Sequence, residues 1–155
     1  MKRRQSGVYV VEFAIVATVV FTMLFACLEV ARLMYSYNVL TEASRRVARL
    51  AVVCSPDLTG APAATANMIN LALFDGENLV GGLDASNVTV EYLDDAGAAA
   101  SALAFVRYVR ASISNYQHEL FIPGLVIQIS SPAFTTVLPA ESLGQTRFGV
   151  TTYCS

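Results

Sequence analysis

From Val8 to Leu28 the chain is mostly apolar, with a single acidic or basic side chain, Glu12. As a helix at roughly 1.5 Å per residue this run spans about 31 Å, the thickness of a hydrocarbon core of roughly 30 Å. It predicts a membrane-spanning helix. Beyond Leu28 the pattern changes rather than stops. Val30, Leu33, Tyr37, Leu40, Ser44, Val47 and Ala51 recur at steps of three and four, which marks one mostly apolar helix face. Arg32, Glu42, Arg45, Arg46 and Arg49 fall largely elsewhere. Glu42 precedes Arg45 by three residues and Arg46 by four, spacings worth only ~0.2–0.5 kcal/mol as exposed pairs. A single helix from Val8 to Val53 would be about 69 Å long. Ser55-Pro56-Asp57-Leu58-Thr59-Gly60-Ala61-Pro62, with two prolines and a glycine, ends it.

The remainder has shorter periods. Ala63 to Phe74 predicts a short amphipathic helix with Met68, Leu71 and Phe74 on one side, stopped by Asp75-Gly76. Val88, Val90 and Tyr92 alternate with Thr89 and Glu91, the signature of a half-buried strand. The Ala-, Gly- and Asp-rich stretch from Asp94 to Ala102 predicts a loop. Further strands are expected around Phe105–Ile113, Gly124–Ser130, Ala133–Leu138 and Phe148–Tyr153. The fold expected is α+β: a long N-terminal helix, half transmembrane and half amphipathic, packed against a small antiparallel β-sheet head. The segments are residues 1–7, the membrane helix 8–28, the helix extension 29–53 and the head 54–155.

Composition supports a chain tied to a membrane. Hydrophobic residues make up 55% and charged residues 14%, against roughly 45–50% and about 25% in soluble domains. That excludes a disordered chain. The net charge of −2 supplies no basic field for nucleic acid. The charge is also split: residues 1–49 sum to +4 and 50–155 to −6. Such asymmetry suggests that the two parts sit in different surroundings. Lys2, Arg3 and Arg4 ahead of the apolar run predict a cytoplasmic N-terminus and an exported C-terminal part.

Several readings fit the N-terminal segment. A secretory signal peptide has an apolar core of about 7–15 residues, shorter than this one, and no convincing A-x-A cleavage site follows. A lipoprotein signal is suggested by Leu24-Phe25-Ala26-Cys27, although Phe25 is bulky for a lipobox and a helical pattern follows Cys27 directly. A plain signal anchor leaves Glu12 unexplained, since a charge at the bilayer centre costs roughly 2.5–3.5 kcal/mol and is rarely idle. The reading that uses all the residues is a prepilin: a short basic leader ending in Gly7, with Glu12 five residues later and then Phe13. Glycine lets the backbone extend into a protease without a Cβ clash. Cleavage there would make Val8 the new N-terminus, with Glu12 one helical turn below its amine.

At this point a specific resemblance emerges. Residues 4–52 resemble the TadE/TadF-like family of minor pseudopilins from Tad-type (Flp) pilus systems. Arg4-Gln5-Ser6-Gly7-Val8-Tyr9-Val10-Val11-Glu12-Phe13-Ala14-Ile15-Val16 follows the family's opening, R-Q-x-G-x-x-x-V-E-F-A-I-V. Leu24 to Arg32 is similar to its L-F-G-x-x-E-x-G-R stretch, with Ala26 and Ala31 in place of glycines, and Ala43 to Val52 to its A-A-R-x-G-A-R-x-A-V segment. Thr18 stands where many members carry proline, so a proline kink is not implied here. The resemblance covers about a third of the chain. It implies bacterial inner-membrane insertion with the head in the periplasm, and entry into the extracellular pilus as a further option. The partners it implies are a prepilin peptidase, the major pilin and other minor pseudopilins, and an inner-membrane assembly platform; the outcomes are adhesion and biofilm formation. Rival readings are a periplasmic binding module or an envelope enzyme held by a plain anchor.

The remaining candidate chemistry is sparse. Cys27, Cys54 and Cys154 form no C-x-x-C pair and no zinc spacing. Cys54 and Cys154 both fall on the exported side, where disulfides persist. Their pairing would tie the last strand to the end of the long helix; the alternative is two free thiols. Cys27 lies in the membrane helix, roughly 40 Å along the axis from Cys54. His118, the single histidine, is expected in a loop over Asn115–Glu119 rather than as a general base. No G-x-S-x-G, phosphate-binding glycine loop or paired-carboxylate signature is present. Neither a catalytic, a metal nor a cofactor site is assigned.

Overall fold

An apolar run without proline, followed by an amphipathic run also free of proline and glycine, folds as one unbroken helix, α1 (Ser6–Val53), in the computed structural model. The structure describes residues 6–74, 77, 79–122 and 125–154. The chain divides into two units at Tyr35/Ser36, inside α1.

In the first unit α1 is long and apolar enough to cross a membrane. Its side chains from Val8 to Val30 are largely exposed, Phe13 and Tyr9 most of all. The hydroxyls in this stretch turn back on the helix: Thr18 Oγ1 donates to the Ala14 carbonyl at 2.8 Å and Thr22 Oγ1 to that of Thr18 at 2.7 Å. Both threonine hydroxyls are thus satisfied within the helix, which is what a hydrocarbon surround demands. With threonine at position 18 the backbone keeps its N–H donor, and the helix continues without the break that proline imposes. Glu29 and Arg32, one turn apart, pair at 3.5 Å just past the apolar run.

In the second unit the rest of α1 is the floor of the head. Leu40, Ala43, Val47, Ala48, Ala51 and Val52 have no exposure, and Ser36, Val39 and Ser44 are also buried. The buried stripe therefore contains Leu40, Ser44, Val47 and Ala51 of the expected face. Val30 lies outside it, 58% exposed. Arg45, Arg46 and Arg49 are all exposed; Arg46 Nε pairs with Glu42 at 3.0 Å and its guanidinium lies 4.3 Å from the ring centroid of Phe74. Arg49 pairs with Glu141.

After α1 come α2 (Ala66–Ala72), a 3₁₀ turn (Ala85–Asn87), β1 (Val88–Leu93), a second 3₁₀ turn (Leu103–Phe105), β2 (Tyr108–Ile113), β3 (Gln117–Ile122), β4 (Leu125–Ser130) and β5 (Phe134–Pro139). Helix α2 is shorter than expected because Thr65 caps it, its Oγ1 accepting from the Met68 N–H. The stop expected at Asp75-Gly76 lies outside the described residues.

Strands β1, β2 and β5 form a three-stranded antiparallel sheet in the order β1-β2-β5, while β3 and β4 make a separate antiparallel hairpin. The period-two alternation that marks β1 also decides its pairing. Val88 stands opposite Ile113, Val90 opposite Ala111 and Tyr92 opposite Val109, and β5 adds Phe134, Thr136 and Leu138 to the same face. That face packs on α1 in two clusters, one around Leu40, Val47 and Ile113, the other around Val52, Cys54 and Val109. Burying each branched side chain contributes roughly 1.5–3 kcal/mol. One polar contact crosses the layer: Ser44 Oγ and Thr136 Oγ1 lie 3.0 Å apart.

Two expectations are corrected. Residues Asn115–Glu119 are not a loop throughout: Gln117 opens β3 and His118 is buried, 3% exposed, opposite Ile129. The expected strand at Phe148–Tyr153 is replaced by a tight turn with one bridge, Gln145 to Thr151, because Gly149 adopts φ +72°.

Tyr92 carries a measurable consequence of this packing. Its hydroxyl is buried without a hydrogen-bond partner among the described residues, and burial pushes its pKa up to about 12. Because the folded value lies above the ordinary value of about 10, the neutral form is favoured in the fold. Its contribution is complete below pH ~10 and is lost as pH rises towards 12. Tyr92→Phe should therefore leave stability at pH 7 unchanged or raise it by about 1 kcal/mol, since an unmet buried polar group costs ~1–3 kcal/mol. It should also flatten the loss between pH 10 and 12. Denaturant titrations of the full chain in detergent at pH 7 and 11 test this; a clear destabilisation at pH 7 would contradict it.

Candidate functional site

The residues singled out near the N-terminus share the first two turns of α1. Gly7, Val8, Glu12 and Phe13 are all helical and all exposed. A Cβ added at Gly7 would meet nothing within 4 Å, so no close packing requires glycine at this position. A protease needs its substrate extended, whereas Ser6 and Gly7 are in α1. Unwinding this first turn is cheap, because glycine is about 1 kcal/mol less favourable than alanine in a helix. Glu12 is the single carboxylate between Gly7 and Glu29, carried on an otherwise apolar surface. Such a surface suits lipid or other apolar helices, and Glu12 is the one carboxylate it carries there.

The other candidate residues lie in the second unit, at the C-terminal end of α1. Cys54 and Cys154 are joined as a disulfide, with Cα atoms 5.7 Å apart, and Cys27 is a free, exposed thiol. The bridge is part of a larger clasp that sequence reasoning did not find. A helix leaves its last carbonyls without partners. Here the Leu143 N–H donates to the Val52 carbonyl at 3.0 Å, and the Gly144 N–H to that of Val53 at 2.7 Å. Ser142 Oγ donates to the Val53 carbonyl as well, at 3.0 Å. Gly144 has φ +77°, and an added Cβ would stand 2.5 Å from the Ser55 backbone, so glycine is obligatory there. The Ser55 N–H then donates to the Thr152 carbonyl at 3.0 Å. The one signal that could have pointed to the clasp was Leu143-Gly144, a turn marker without a turn to explain.

Among the described residues, one open cavity of the head, about 540 Å³, is bordered by Leu103, Val106, Arg107, Glu141 and Ser142, which form no catalytic constellation. Among the described residues no group of three or more His, Cys, Asp or Glu converges to hold a metal.

Residues 7–49 match the family model described as TadE-like protein. No curated protein and no solved structure matches the chain. The matched segment begins at the candidate cleavage glycine and ends within the buried stripe of α1. The match and the exposed apolar helix fit a component of a Tad pilus, a structural class whose members act among other pilus components.

Proposed function

We propose that this chain is a minor pseudopilin that takes part in assembling a Tad-type pilus. It inserts once in the inner membrane, with Lys2, Arg3 and Arg4 on the cytoplasmic side and the head in the periplasm. A prepilin peptidase cuts between Gly7 and Val8. Glu12 then takes its counter-charge from the α-amine of Val8, in the same subunit or a neighbour, as apolar helices bundle with the major pilin and other minor pseudopilins. The inner-membrane assembly platform works on that bundle, and adhesion and biofilm formation follow. The role is one of packing rather than catalysis. The observation that carries this reading is Glu12, an exposed carboxylate on an apolar helix inside the family-matched segment. A plain anchor for a binding module or an envelope enzyme has no use for it.

The test is the mature N-terminus. Intact-mass measurement should give a chain beginning at Val8 from cells with the peptidase, and one retaining residues 1–7 from cells without it. A lipidated chain beginning at Cys27, or one beginning beyond Leu28, would overturn the reading.

A further inference from the structure

The head presents a second, separate recognition element. Past Gly144 the chain forms a tight hairpin with a bridge between Gln145 and Thr151. Its turn is closed by three bonds of 3.0 Å: Thr146 N–H to the Val150 carbonyl, Gly149 N–H to the Thr146 carbonyl, and Val150 N–H to Thr146 Oγ1. The disulfide and the bond from Ser55 to Thr152 fix its base. This rigid loop holds its apolar side chains in solvent: Phe148 is 89% exposed, Tyr153 72% and Val150 63%. Arg147 stands beside Phe148, also exposed. Aromatic rings with arginine are the usual anchors of protein interfaces, and a pre-ordered loop avoids much of the entropy lost on docking.

Arg147 is also the odd cation of the head. Arg107 pairs with Asp95 and Arg110 with Glu91, each at 3.2 Å. Among the described residues no carboxylate lies within ion-pair distance of Arg147. Its complement is found elsewhere on the same head. A cavity of about 410 Å³ has Leu73, Leu83 and Ala85 in its lining together with Asn70, Glu77 and Asp84. Glu77 is exposed and pairs with no cation among the described residues. Asp84 is held below the usual carboxylate range by the hydroxyl and backbone N–H of Ser86, so it is ionised at neutral pH. Two leucines beside two carboxylates in one lining match a phenyl ring adjacent to a guanidinium.

We propose that the hairpin of one subunit docks in this cavity of a second copy of the chain, Phe148 between Leu73 and Leu83 and Arg147 against Glu77 and Asp84. The two patches are different surfaces, so the contact is head-to-tail and each added subunit exposes a fresh cavity or hairpin. This contact uses the head alone and is independent of Glu12.

The experiment uses the full-length protein in detergent, with Phe148 replaced by photoreactive p-benzoylphenylalanine and ¹⁴N- and ¹⁵N-labelled chains mixed equally. Irradiation should give mixed-isotope dimers whose adducts fall in the 70–85 segment. Arg147→Glu should lower the yield by about tenfold or more, as loss of an anchor does. Adding Glu77→Arg should restore it, which also shows that the variants are folded. Phe105→Ser, at another exposed ring of the head, should leave the yield unchanged, which separates this contact from general stickiness of the head. Adducts confined to the same chain, to detergent or to another part of the second copy would overturn the proposal, as would a yield indifferent to the charge reversal.

Discussion

Glu12→Ala should leave the protein in the membrane and remove it from the pilus. In the isolated chain Glu12 is exposed on α1, so no intramolecular contact is lost on replacing it. Insertion should improve, because a carboxylate within the apolar run carries a cost whose upper end, at the bilayer centre, is roughly 2.5–3.5 kcal/mol. Assembly reverses the sign. In the bundle proposed above, Glu12 and the Val8 amine would form a buried pair, and removing one partner of such a pair costs roughly 3–5 kcal/mol because the other charge is stranded. At about 1.4 kcal/mol per factor of ten, that is a hundredfold or greater loss in the packing equilibrium. Quantitative immunoblots of the membrane fraction and of the sheared surface fraction provide the readout. Glu12→Gln should fall with Glu12→Ala, since the amide keeps the shape and loses the charge. Wild-type amounts of either variant in the sheared fraction would refute the assembly role.

Cys154→Ser should lower the stability of the head by about 2–5 kcal/mol, the usual cost of losing a native disulfide. The bridge closes a sequence separation of 100 residues, for which the chain-entropy model gives roughly 4.7 kcal/mol. Its loss also loosens the segment whose N–H groups cap Val52 and Val53, so the last turn of α1 should fray together with the head. Denaturant unfolding of the full chain in detergent, with and without reductant, measures the difference. Reductant should shift the wild-type curve onto that of Cys154→Ser and leave the variant unmoved. Equal midpoints for all four samples, or recovery of Cys54 and Cys154 as separately alkylated thiols from oxidising cells, would rule out a stabilising bridge.

The parts of the fold that could be read beforehand are those governed by local period. Helix α1 is legible because apolar length, then a three-and-four repeat, continue without proline as far as Pro56. Strand β1 is legible because Val88, Val90 and Tyr92 alternate with polar residues. Strand β3 was hidden for the opposite reason: it inverts the rule, burying His118 and exposing Phe121. Gln117-His118-Glu119 therefore resembles a loop until β4 is placed beside it. Gly149 had the reverse effect, breaking a stretch whose valine and aromatics suggested a strand. Glu12 stood out in the sequence because it is alone in an apolar run. The clasp on α1 did not, since Arg49 meets Glu141 and Val53 meets Ser142 across separations of 92 and 89 residues. No local pattern encodes such pairs.

The disulfide makes residues 54–154 a closed covalent ring hung from the end of α1. That topology limits how far the head can be drawn out under load. Suppose a subunit is held by its helix while something bound to the head pulls away. In an open chain, tension could unravel up to about 100 residues, about 340 Å at ~3.4 Å each. In the ring both arcs share the load and the shorter one sets the limit, so no attachment point can travel beyond about 170 Å. The bridge thus halves the slack available to a loaded subunit, acting as a tether stop as well as a staple.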